Sequence, residues 1–428
     1  MRNLGTNIYL SISLLSLAFL LMVFSCKKEK ENLPFKPGIR ELVEMISTDK
    51  SRYSPGDEVI ISIKLKQQFN GQLVVRYKHL TSNVKEEIIN VDDRNIELKW
   101  TPPNIDYKGY MVELVFINQE QIICYASTAV DVSSDWTKFP RYGFLSHFSS
   151  GISQAEIENN LDFLKQYHIN GLQFYDWHNK HHKPLKMLGN IPASSWMDIA
   201  KRVNSFSVVE SYIQSAKKLN MASMSYNLLY GAWDDFASDG VSETWMSFND
   251  KNHISVNKHE LDDNWAMSDI LVLNPANTDW QDYIFNNNNE IYQHLDFDGW
   301  HIDQLGDRGI LYDYNGNTIV MKNTYSSFLE HLRSNTPNRK MVLNAVNQYG
   351  QLEILKSEVD FAYTEVWSPN NSYNNLAQII MTNNSLSNLK LNTVLAAYIN
   401  YDLADNTLEF NEAAVLMADA VIMAFGGN

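Results

Sequence analysis

The strongest constraint on the fold is a regular alternation that begins near Tyr142, in which short apolar segments are separated by stretches long enough for helices. Strands that alternate with helices pair in parallel, and eight of them can close into a barrel. The predicted strands are Tyr142–Phe148, Gly171–Trp177, Met221–Leu229, Gly299–Leu305, Lys340–Val346, Val359–Val366, Thr393–Ile399 and Val421–Gly426. Residues 134–428 are therefore predicted to form an α/β fold, a (β/α)8 TIM-type barrel.

An open doubly wound sheet is the competing fold for residues 134–428. The chain has no Gly-rich turn between strand and helix of the dinucleotide-binding kind, which disfavours that fold. The sequence stops at Asn428, directly after the last predicted strand, where a covering helix should follow. A barrel that is C-terminally truncated after strand 8 is therefore expected.

Residues 40–133 follow a different period. Val59, Ile61, Ile63 and Leu65 are apolar at every second position, and polar residues stand between most of them. This alternation is typical of strands with one buried face, and it recurs in several short segments separated by turns. The pattern predicts an immunoglobulin-like β-sandwich in front of the barrel.

The N-terminus predicts a lipoprotein signal peptide over residues 1–25 and a charged tether over residues 26–39. Arg2 precedes an apolar stretch, Ile8–Phe24, and Val23-Phe24-Ser25-Cys26 resembles a bacterial lipobox. That resemblance implies cleavage before Cys26 and lipidation of its thiol. The protein would then be anchored to a membrane of the bacterial cell envelope, at the outer membrane or the cell surface. An uncleaved membrane anchor is the alternative.

Charge and cysteine content exclude several classes of function. Thirty-five Lys and Arg against 50 Asp and Glu give a formal net charge of −15. This balance argues against nucleic acid as a partner, because phosphate backbones require clustered cations. The two cysteines, Cys26 and Cys124, are too few for a disulfide framework or a thiolate zinc site. No cofactor is predicted.

Two carboxylates stand where a barrel enzyme carries its catalysts, at the C-terminal ends of strands. Asp303 ends the predicted strand that begins at Gly299, and Glu365 occupies the same place two strands later. Glycoside hydrolysis needs such a pair, one to protonate the leaving oxygen and one to attack or stabilise the sugar. Glu365, between Tyr363 and Trp367, is the better acid, and Asp303 the better nucleophile. Structural ion pairs are the alternative for both.

The segments around these residues resemble glycoside hydrolase family 66, which contains dextranases and cycloisomaltooligosaccharide glucanotransferases. The resemblance implies retention through a covalent glucosyl-enzyme, with Asp303 as nucleophile and Glu365 as acid/base. It also implies that Asp176 binds the glucosyl unit at the cleavage point. The segments are Arg141 to Ser146, Gln173 to Trp177, Met224 to Leu228, Gly299 to Asp307 and Thr364 to Trp367.

Other polar and aromatic residues near the strand ends are candidate sugar contacts. A loop with His178, His181, His182 and Lys183 follows Asp176, and it either holds sugar hydroxyls or is simply solvated. No metal is expected there, because adjacent histidines point apart and no acidic partner stands at ligand spacing. The candidate substrate-binding residues are Asp176, His178, His182, Tyr226, Asn227, Trp233, His301 and Trp367.

The predicted function is a retaining, endo-acting dextranase that cleaves α-1,6-glucosidic bonds of dextran and isomaltooligosaccharides. A cycloisomaltooligosaccharide glucanotransferase is the first alternative. Cyclising members of the family carry a carbohydrate-binding insertion within the barrel, and the short interval between Asp303 and Glu365 leaves little room for one. The second alternative is a non-catalytic, surface glycan-binding lipoprotein.

Overall fold

The computed structural model of the protein describes residues 42–399 and 410–428, and it has a mixed α/β fold. The predicted signal peptide and tether, with Cys26, lie outside the described residues. The strands are β1 (Val43–Thr48), β2 (Val59–Leu65), β3 (Gly71–His79), β4 (Ser82–Val91), β5 (Asn95–Trp100), β6 (Lys108–Asn118), β7 (Gln121–Val132), β8 (Tyr142–Leu145), β9 (Gly171–Phe174), β10 (Met187–Leu188), β11 (Ile191–Pro192), β12 (Ser195–Met197), β13 (Val203–Ser205), β14 (Ala222–Leu228), β15 (Lys258–His259), β16 (Ile270–Leu271), β17 (Gly299–Asp303), β18 (Ile310–Tyr312), β19 (Thr318–Val320), β20 (Lys340–Leu343), β21 (Ala362–Val366) and β22 (Thr393–Ala397). The α-helices are Gln154–Gln166, Phe206–Lys218, Thr278–His294, Tyr325–Asn335, Gln351–Lys356, Tyr373–Leu386 and Glu412–Ala424.

Strands β1 to β7 form two antiparallel sheets that share one hydrophobic core. The strand order is β1-β2-β5 in one sheet and β4-β3-β6-β7 in the other. Val59, Ile61 and Ile63 of β2 are at most 2% exposed, whereas Ser62 between them is exposed. Cys124 lies in the same core as a free, buried thiol. The predicted strand alternation is confirmed, and the immunoglobulin type stays a prediction.

The second region is built on parallel strands that follow one another in space in chain order. Strands β8, β9, β14, β17 and β20 form a five-stranded sheet, and β21 pairs with β22. An isolated parallel bridge between Asn344 and Tyr363 links β20 to β21. Seven of the eight predicted strands are therefore found as strands in the structure. Among the described residues their pairing does not close into a barrel.

The eighth predicted strand, Val421–Gly426, is wrong. Most of these residues belong to the helix Glu412–Ala424, which Asn411 caps by accepting a hydrogen bond from the backbone N–H of Ala414. The helix is rich in Ala and Met, which are strong helix formers, and a short apolar run cannot by itself distinguish a strand from a buried helix. A parallel bridge to Thr393 is formed instead by Gly427.

The two antiparallel sheets pack against the parallel region near the N-terminal ends of its strands. The backbone N–H of Ser51 donates to the carbonyl of Leu219, and the side chain of Asn220 donates to the carbonyl of Arg52. Leu219 and Asn220 lie just before β14 begins. The opposite, C-terminal ends of the parallel strands are therefore left for the loops that follow them.

No helix within the described ranges combines the length and the apolar character needed to cross a bilayer.

Candidate active site

Polar side chains from the parallel strands meet at the C-terminal edge of the sheet. The parallel register aligns Leu228 of β14 with Asp303 of β17, so these strands end side by side. Strand β17 starts at Gly299, where a side-chain carbon would collide with the carbonyl oxygen of Lys340 on β20. The close approach of β17 and β20 therefore requires glycine. The side chains at this edge belong to Asp176, Tyr226, Asp303, Asn344 and Glu365.

Three donors surround the carboxylate of Asp303. The hydroxyl of Tyr226 donates to Oδ2 over 2.7 Å. The backbone N–H of Gln304 and the side-chain amide of Asn344 both donate to Oδ1, over 2.8 Å and 2.7 Å. Hydrogen bonds to a carboxylate favour its ionised form, while burial opposes ionisation. Burial is the larger effect here, and it raises the pKa of Asp303 above its usual value.

Asn344 connects the two predicted catalytic carboxylates. Its Nδ2 donates to Oδ1 of Asp303 over 2.7 Å and to Oε2 of Glu365 over 3.0 Å. These two oxygens are therefore no more than about 5.7 Å apart, the combined length of the two hydrogen bonds. The structure therefore brings Asp303 and Glu365 together in one site, as their positions at strand ends predict.

Glu365 is a carboxyl group that can keep a proton near neutral pH. Burial, and after it the negative charge of Asp303, raises the pKa of Glu365 to about 7. Asn344, Trp367 and Tyr398 hydrogen-bond to its side chain, and these contacts act against the rise. Two carboxyls held this close disfavour each other's ionisation, so the negative charge of Asp303 helps to keep the proton on Glu365.

Asp176 forms a third acidic centre beside this pair. It lies just beyond β9 with a φ of 51°, a left-handed conformation that is uncommon for residues other than glycine. Nη2 of Arg202 lies 3.2 Å from its Oδ2, and the same guanidinium binds the fully buried Asp198 through Nε over 2.7 Å. Burial nevertheless raises the pKa of Asp176 to about 7. Asp176 can therefore donate as well as accept a hydrogen bond.

The three histidines after Asp176 are buried, so the solvated-loop alternative is wrong. His178, His181 and His182 are at most 3% exposed, and burial lowers the pKa of each. The loop is turned inwards because other residues hold it, with Trp233 donating from its indole to Nδ1 of His181 and from its backbone N–H to Nδ1 of His182. Neither ring nitrogen of His178 has a partner among the described residues.

Asp239 ties this loop to the following one, in a group that we call the Asp239 clamp: Lys180, His182, Lys183, Asp235 and Asp239. Nζ of Lys180 and Nζ of Lys183 lie 2.7 Å and 2.8 Å from the Asp239 carboxylate, and Nε2 of His182 lies 3.1 Å from it. Lys180 also pairs with Asp235. Hydrogen bonds from these cations hold the pKa of Asp239 well below its usual value.

The sequence predicts that the histidine loop binds no metal, and the clamp residues bear on that prediction. His182, Asp235 and Asp239 present ligand atoms within 4.8 Å of one another, so acidic partners do reach the histidine loop. Asp235 and Asp239 belong to a separate loop, so the spacing of residues within the histidine stretch does not predict their approach to His182. Both carboxylates are already paired with lysine, and Lys180 contacts each of them. This charge pattern is that of an ion-pair network.

Replacement of Asp239 with asparagine is expected to lower the free energy of unfolding at pH 7 by about 1–2 kcal/mol, near the lower end because solvent partly screens the clamp. Since the pKa of Asp239 is lowered in the folded state, its contribution exists above the unfolded pKa and is lost as pH falls through the folded one. Urea unfolding at pH 7 and below pH ~4 measures both effects. Asp296→Asn is the matched control, since within the described residues Asp296 forms an ion pair only with the exposed Lys217. Equal stability of both variants would contradict a structural clamp.

The remaining predicted sugar contacts lie around the same edge, and they differ in burial and in their partners within the protein. Tyr226 and His301 are buried, and the ring of His301 stacks on Tyr142 with centroids 5.7 Å apart. Asn227 is committed within the protein, because its Nδ2 donates to the carbonyl of His181 and its Oδ1 accepts from the N–H of Leu228. Trp233 is buried and holds the histidine loop, as described above. Trp367 is half-buried and stacks on Tyr398 with ring centroids 3.9 Å apart.

Sequence reasoning missed two residues of this site, Asn344 and Arg202. Asn344 directly follows β20, so the rule that selected Asp303 and Glu365, a polar residue at a strand end, also applies to it. Arg202 lies just before the short strand β13, outside the parallel sheet, and contacts Asp176 only through the folding of that loop. No periodic pattern in the sequence marks it.

The sequence profile described as glycosyl hydrolase family 66 matches residues 48–428. A cycloisomaltooligosaccharide glucanotransferase from Niallia circulans is 34% identical over 384 residues, which is 85% of this chain and 39% of the relative. A dextranase from Streptococcus salivarius is 22% identical over 79% of this chain and 45% of its own length. The chain thus spans less than half the length of these curated relatives.

A solved structure has a similar fold. The crystal structure of a cycloisomaltooligosaccharide glucanotransferase from Paenibacillus sp., complexed with cycloisomaltoheptaose, superimposes with a TM-score of 0.77 and 32% sequence identity. The match covers 84% of this chain and 53% of that one.

Proposed function

Because this chain belongs to glycosyl hydrolase family 66, we propose that it cleaves α-1,6-glucosidic bonds of dextran-type glucans with retention and transfers the glucosyl chain to a sugar hydroxyl, as a cycloisomaltooligosaccharide glucanotransferase. The observation that carries this proposal is the pair of partly buried carboxyls, Asp303 and Glu365, joined by one amide. A closely spaced pair of this kind is what retaining glycosidases use.

The separation of the two carboxyls supports retention. Retaining enzymes hold the carboxyls about 5–5.5 Å apart, whereas inverting enzymes need about 6.5–9.5 Å to admit a water molecule. The oxygens of Asp303 and Glu365 that bind Asn344 are within about 5.7 Å of each other. Asp303 is therefore close enough to attack the anomeric carbon whose glycosidic oxygen Glu365 protonates.

In the first step, Glu365 donates its proton to the glycosidic oxygen while Asp303 attacks the anomeric carbon from the other side. The bond to the leaving sugar breaks as the glucosyl–Asp303 ester forms. In the second step, Glu365 takes a proton from an acceptor hydroxyl, which attacks the anomeric carbon and expels Asp303. The three donors on Asp303 stabilise the carboxylate each time it is regenerated.

The nature of the acceptor separates transfer from hydrolysis. Similarity supports transfer: the two glucanotransferases from Niallia circulans are 34% and 31% identical to this chain, against 22% for the dextranase. This difference favours the transferase over the dextranase that the sequence patterns alone suggested. Attack by a hydroxyl at the end of the bound glucan would release a cyclic product.

Hydrolysis by a dextranase is the second candidate, and the compact connections of the parallel region favour it. Between Asp303 and Glu365 the chain forms two short strands, β18 and β19, two helices and β20, without a separate inserted sheet domain. Water would then replace the acceptor hydroxyl in the second step. A glycan-binding protein without turnover is disfavoured, since both carboxyls and their hydrogen bonds are present.

Product analysis after incubation with dextran tests these readings. Cyclic isomaltooligosaccharides without new reducing ends support transfer, and linear isomaltooligosaccharides support hydrolysis. Proton NMR of the first products reports their anomeric configuration, and initial α products are expected from a retaining enzyme. Binding of dextran without any new product would overturn the catalytic proposal.

The rate on α-1,6-linked glucan is expected to have a bell-shaped pH dependence. Glu365 must be protonated and Asp303 ionised, so kcat/KM is expected to fall as pH rises through about 7, the raised pKa of Glu365, and again as acid protonates Asp303. The two apparent pKa values belong to the coupled pair. Initial rates between about pH 4 and pH 9 measure both limbs. A rate that still rises above pH ~8 would contradict the assignment of Glu365 as the acid.

We also propose that the parallel region is a (β/α)8 barrel preceded by an immunoglobulin-like sandwich. Seven parallel strands in chain order support this, and Gly427 extends the series by bridging to Thr393. The backbone N–H of Asn428 donates to Thr393, and its carbonyl accepts from Leu395. On this proposal the eighth strand begins at Gly427, after the helix Glu412–Ala424.

Lipid anchoring through Cys26 is proposed from the lipobox-like residues alone. Expression in a bacterial host followed by mass spectrometry of the N-terminal peptide tests it. A diacylglyceryl group on Cys26 is expected, and an unmodified N-terminal segment in the membrane fraction would overturn the proposal.

A further inference from the structure

We infer that Asn344 is a positioning residue that keeps Oδ1 of Asp303 and Oε2 of Glu365, the two oxygens that its amide binds, unprotonated. This inference rests on the proposed function, because it concerns the roles of the same two carboxyls. It starts from the two hydrogen bonds that the amide of Asn344 makes, one to each carboxyl.

The orientation of the Asn344 amide is determined by its surroundings. Its Oδ1 accepts from the backbone N–H of Glu365 over 3.1 Å, and a backbone N–H can only donate. The oxygen must therefore face β21, and the NH2 group must face the carboxyls. The backbone N–H of Asn344 donates to the carbonyl of Ile302 over 2.9 Å, which ties the same residue to β17. An amide flip would lose the bond to Glu365 N–H and place an oxygen between two carboxyls.

The NH2 group determines which carboxyl oxygens stay unprotonated. It has two hydrogens and no acceptor, and it directs one at Oδ1 of Asp303 and one at Oε2 of Glu365. An oxygen that accepts such a bond is stabilised as the unprotonated one. A proton that neutral Glu365 carries is therefore kept off Oε2, the oxygen that the amide binds. Asp303 accepts two further hydrogen bonds, from the hydroxyl of Tyr226 and the backbone N–H of Gln304, which also favour its ionised form.

The position of Asn344 explains how one residue can act on both carboxyls. It directly follows β20, which lies between β17 with Asp303 and β21 with Glu365. A side chain at this point is the only one of the five at this edge that donates to both groups within the described residues. A residue that merely filled space here would not need to donate.

Asn344→Asp tests the inference, because it keeps the shape of the side chain but replaces the donor with a carboxylate. The kcat/KM on α-1,6-linked glucan is expected to fall by about 10²-fold or more, and the alkaline limb of its pH profile is expected to move up by about one unit or more, since a third negative charge favours protonation of Glu365. Asn344→Ala, which adds no charge, is expected to lower kcat/KM at least about tenfold with a smaller upward shift. Asn383→Asp is the matched control, a buried asparagine in the helix Tyr373–Leu386.

Titration of Glu365 itself separates failure of this inference from failure of the proposed function. Carbon-13 NMR of glutamate-labelled protein, assigned with Glu365→Gln, reports its pKa without any substrate. A higher pKa in Asn344→Asp and in Asn344→Ala than in the unmodified protein supports the role of Asn344 even if the protein has no activity on dextran. An unchanged pKa in both variants, or a loss of activity with the alkaline limb unmoved, would overturn the inference.

Discussion

Replacement of Asp303 with asparagine is expected to lower kcat/KM on α-1,6-linked glucan by about 10⁴-fold or more, because removal of a covalent nucleophile eliminates the intermediate and not only a contact. Asparagine has nearly the same shape, so the hydrogen-bonding positions around it are preserved better than by a truncation. The loss is expected in kcat, since Asp303 acts on the reacting carbon. Initial rates of dextran turnover, determined from the amount of product released, measure this loss of kcat.

Folding of the Asp303 variant provides the necessary control. Burial raises the pKa of Asp303 in the folded state, so this group costs stability at neutral pH; the cost is absent below the unfolded pKa and grows as pH rises towards the folded one. The variant is expected to unfold at a temperature no lower than that of the unmodified protein at pH 7. Asp313→Asn, in an exposed turn, is expected to leave kcat/KM unchanged. Normal turnover by a folded Asp303→Asn protein would contradict the nucleophile assignment.

Replacement of Glu365 with alanine is expected to lower kcat/KM on dextran by about 10²–10⁴-fold, the usual contribution of a general acid. The loss should depend on the leaving group. An α-isomaltosyl fluoride needs no protonation to leave, so its first step should be nearly normal and the glucosyl-enzyme should accumulate. Azide, which attacks without a general base, is expected to restore turnover and give the α-isomaltosyl azide.

Glu358→Ala is the matched control, because Glu358 lies just before β21 with a side chain that is 82% exposed. It is expected to retain full activity on dextran and on the fluoride. If Glu365→Ala lowered the rates on dextran and on the fluoride equally, and azide had no effect, Glu365 would not be the acid/base. A β-configured azide product would instead indicate inversion.

The strands that carry the site could be predicted because their sequences are unambiguous. Each is a short apolar run that ends in a polar residue, and the carboxyl ends of parallel strands meet at one edge. Asp303 and Glu365 satisfy that rule, and the structure brings them to one amide. The same rule applies to Asn344, but a lone asparagine is far less distinctive than a carboxylate beside aromatic residues.

Features that depend on contacts between distant loops were not predictable. The histidine stretch is polar in sequence, yet Trp233 and Asp239 draw it into a buried position from loops about 50 residues away. Val421–Gly426 is apolar enough for a strand, but it continues a helix that begins at Glu412. The period of so short a segment does not distinguish the two structures, so only the preceding residues decide.

Trapping of the covalent intermediate tests the central claim most directly. A fluorinated α-isomaltosyl donor that forms the glucosyl-enzyme quickly and releases it slowly is incubated with the protein, and the digested product is mapped by mass spectrometry. We predict one sugar adduct on the peptide that contains Asp303, absent from Asp303→Asn. An adduct on Glu365 or Asp176, or turnover of dextran with inversion and no adduct at any carboxylate, would contradict the account.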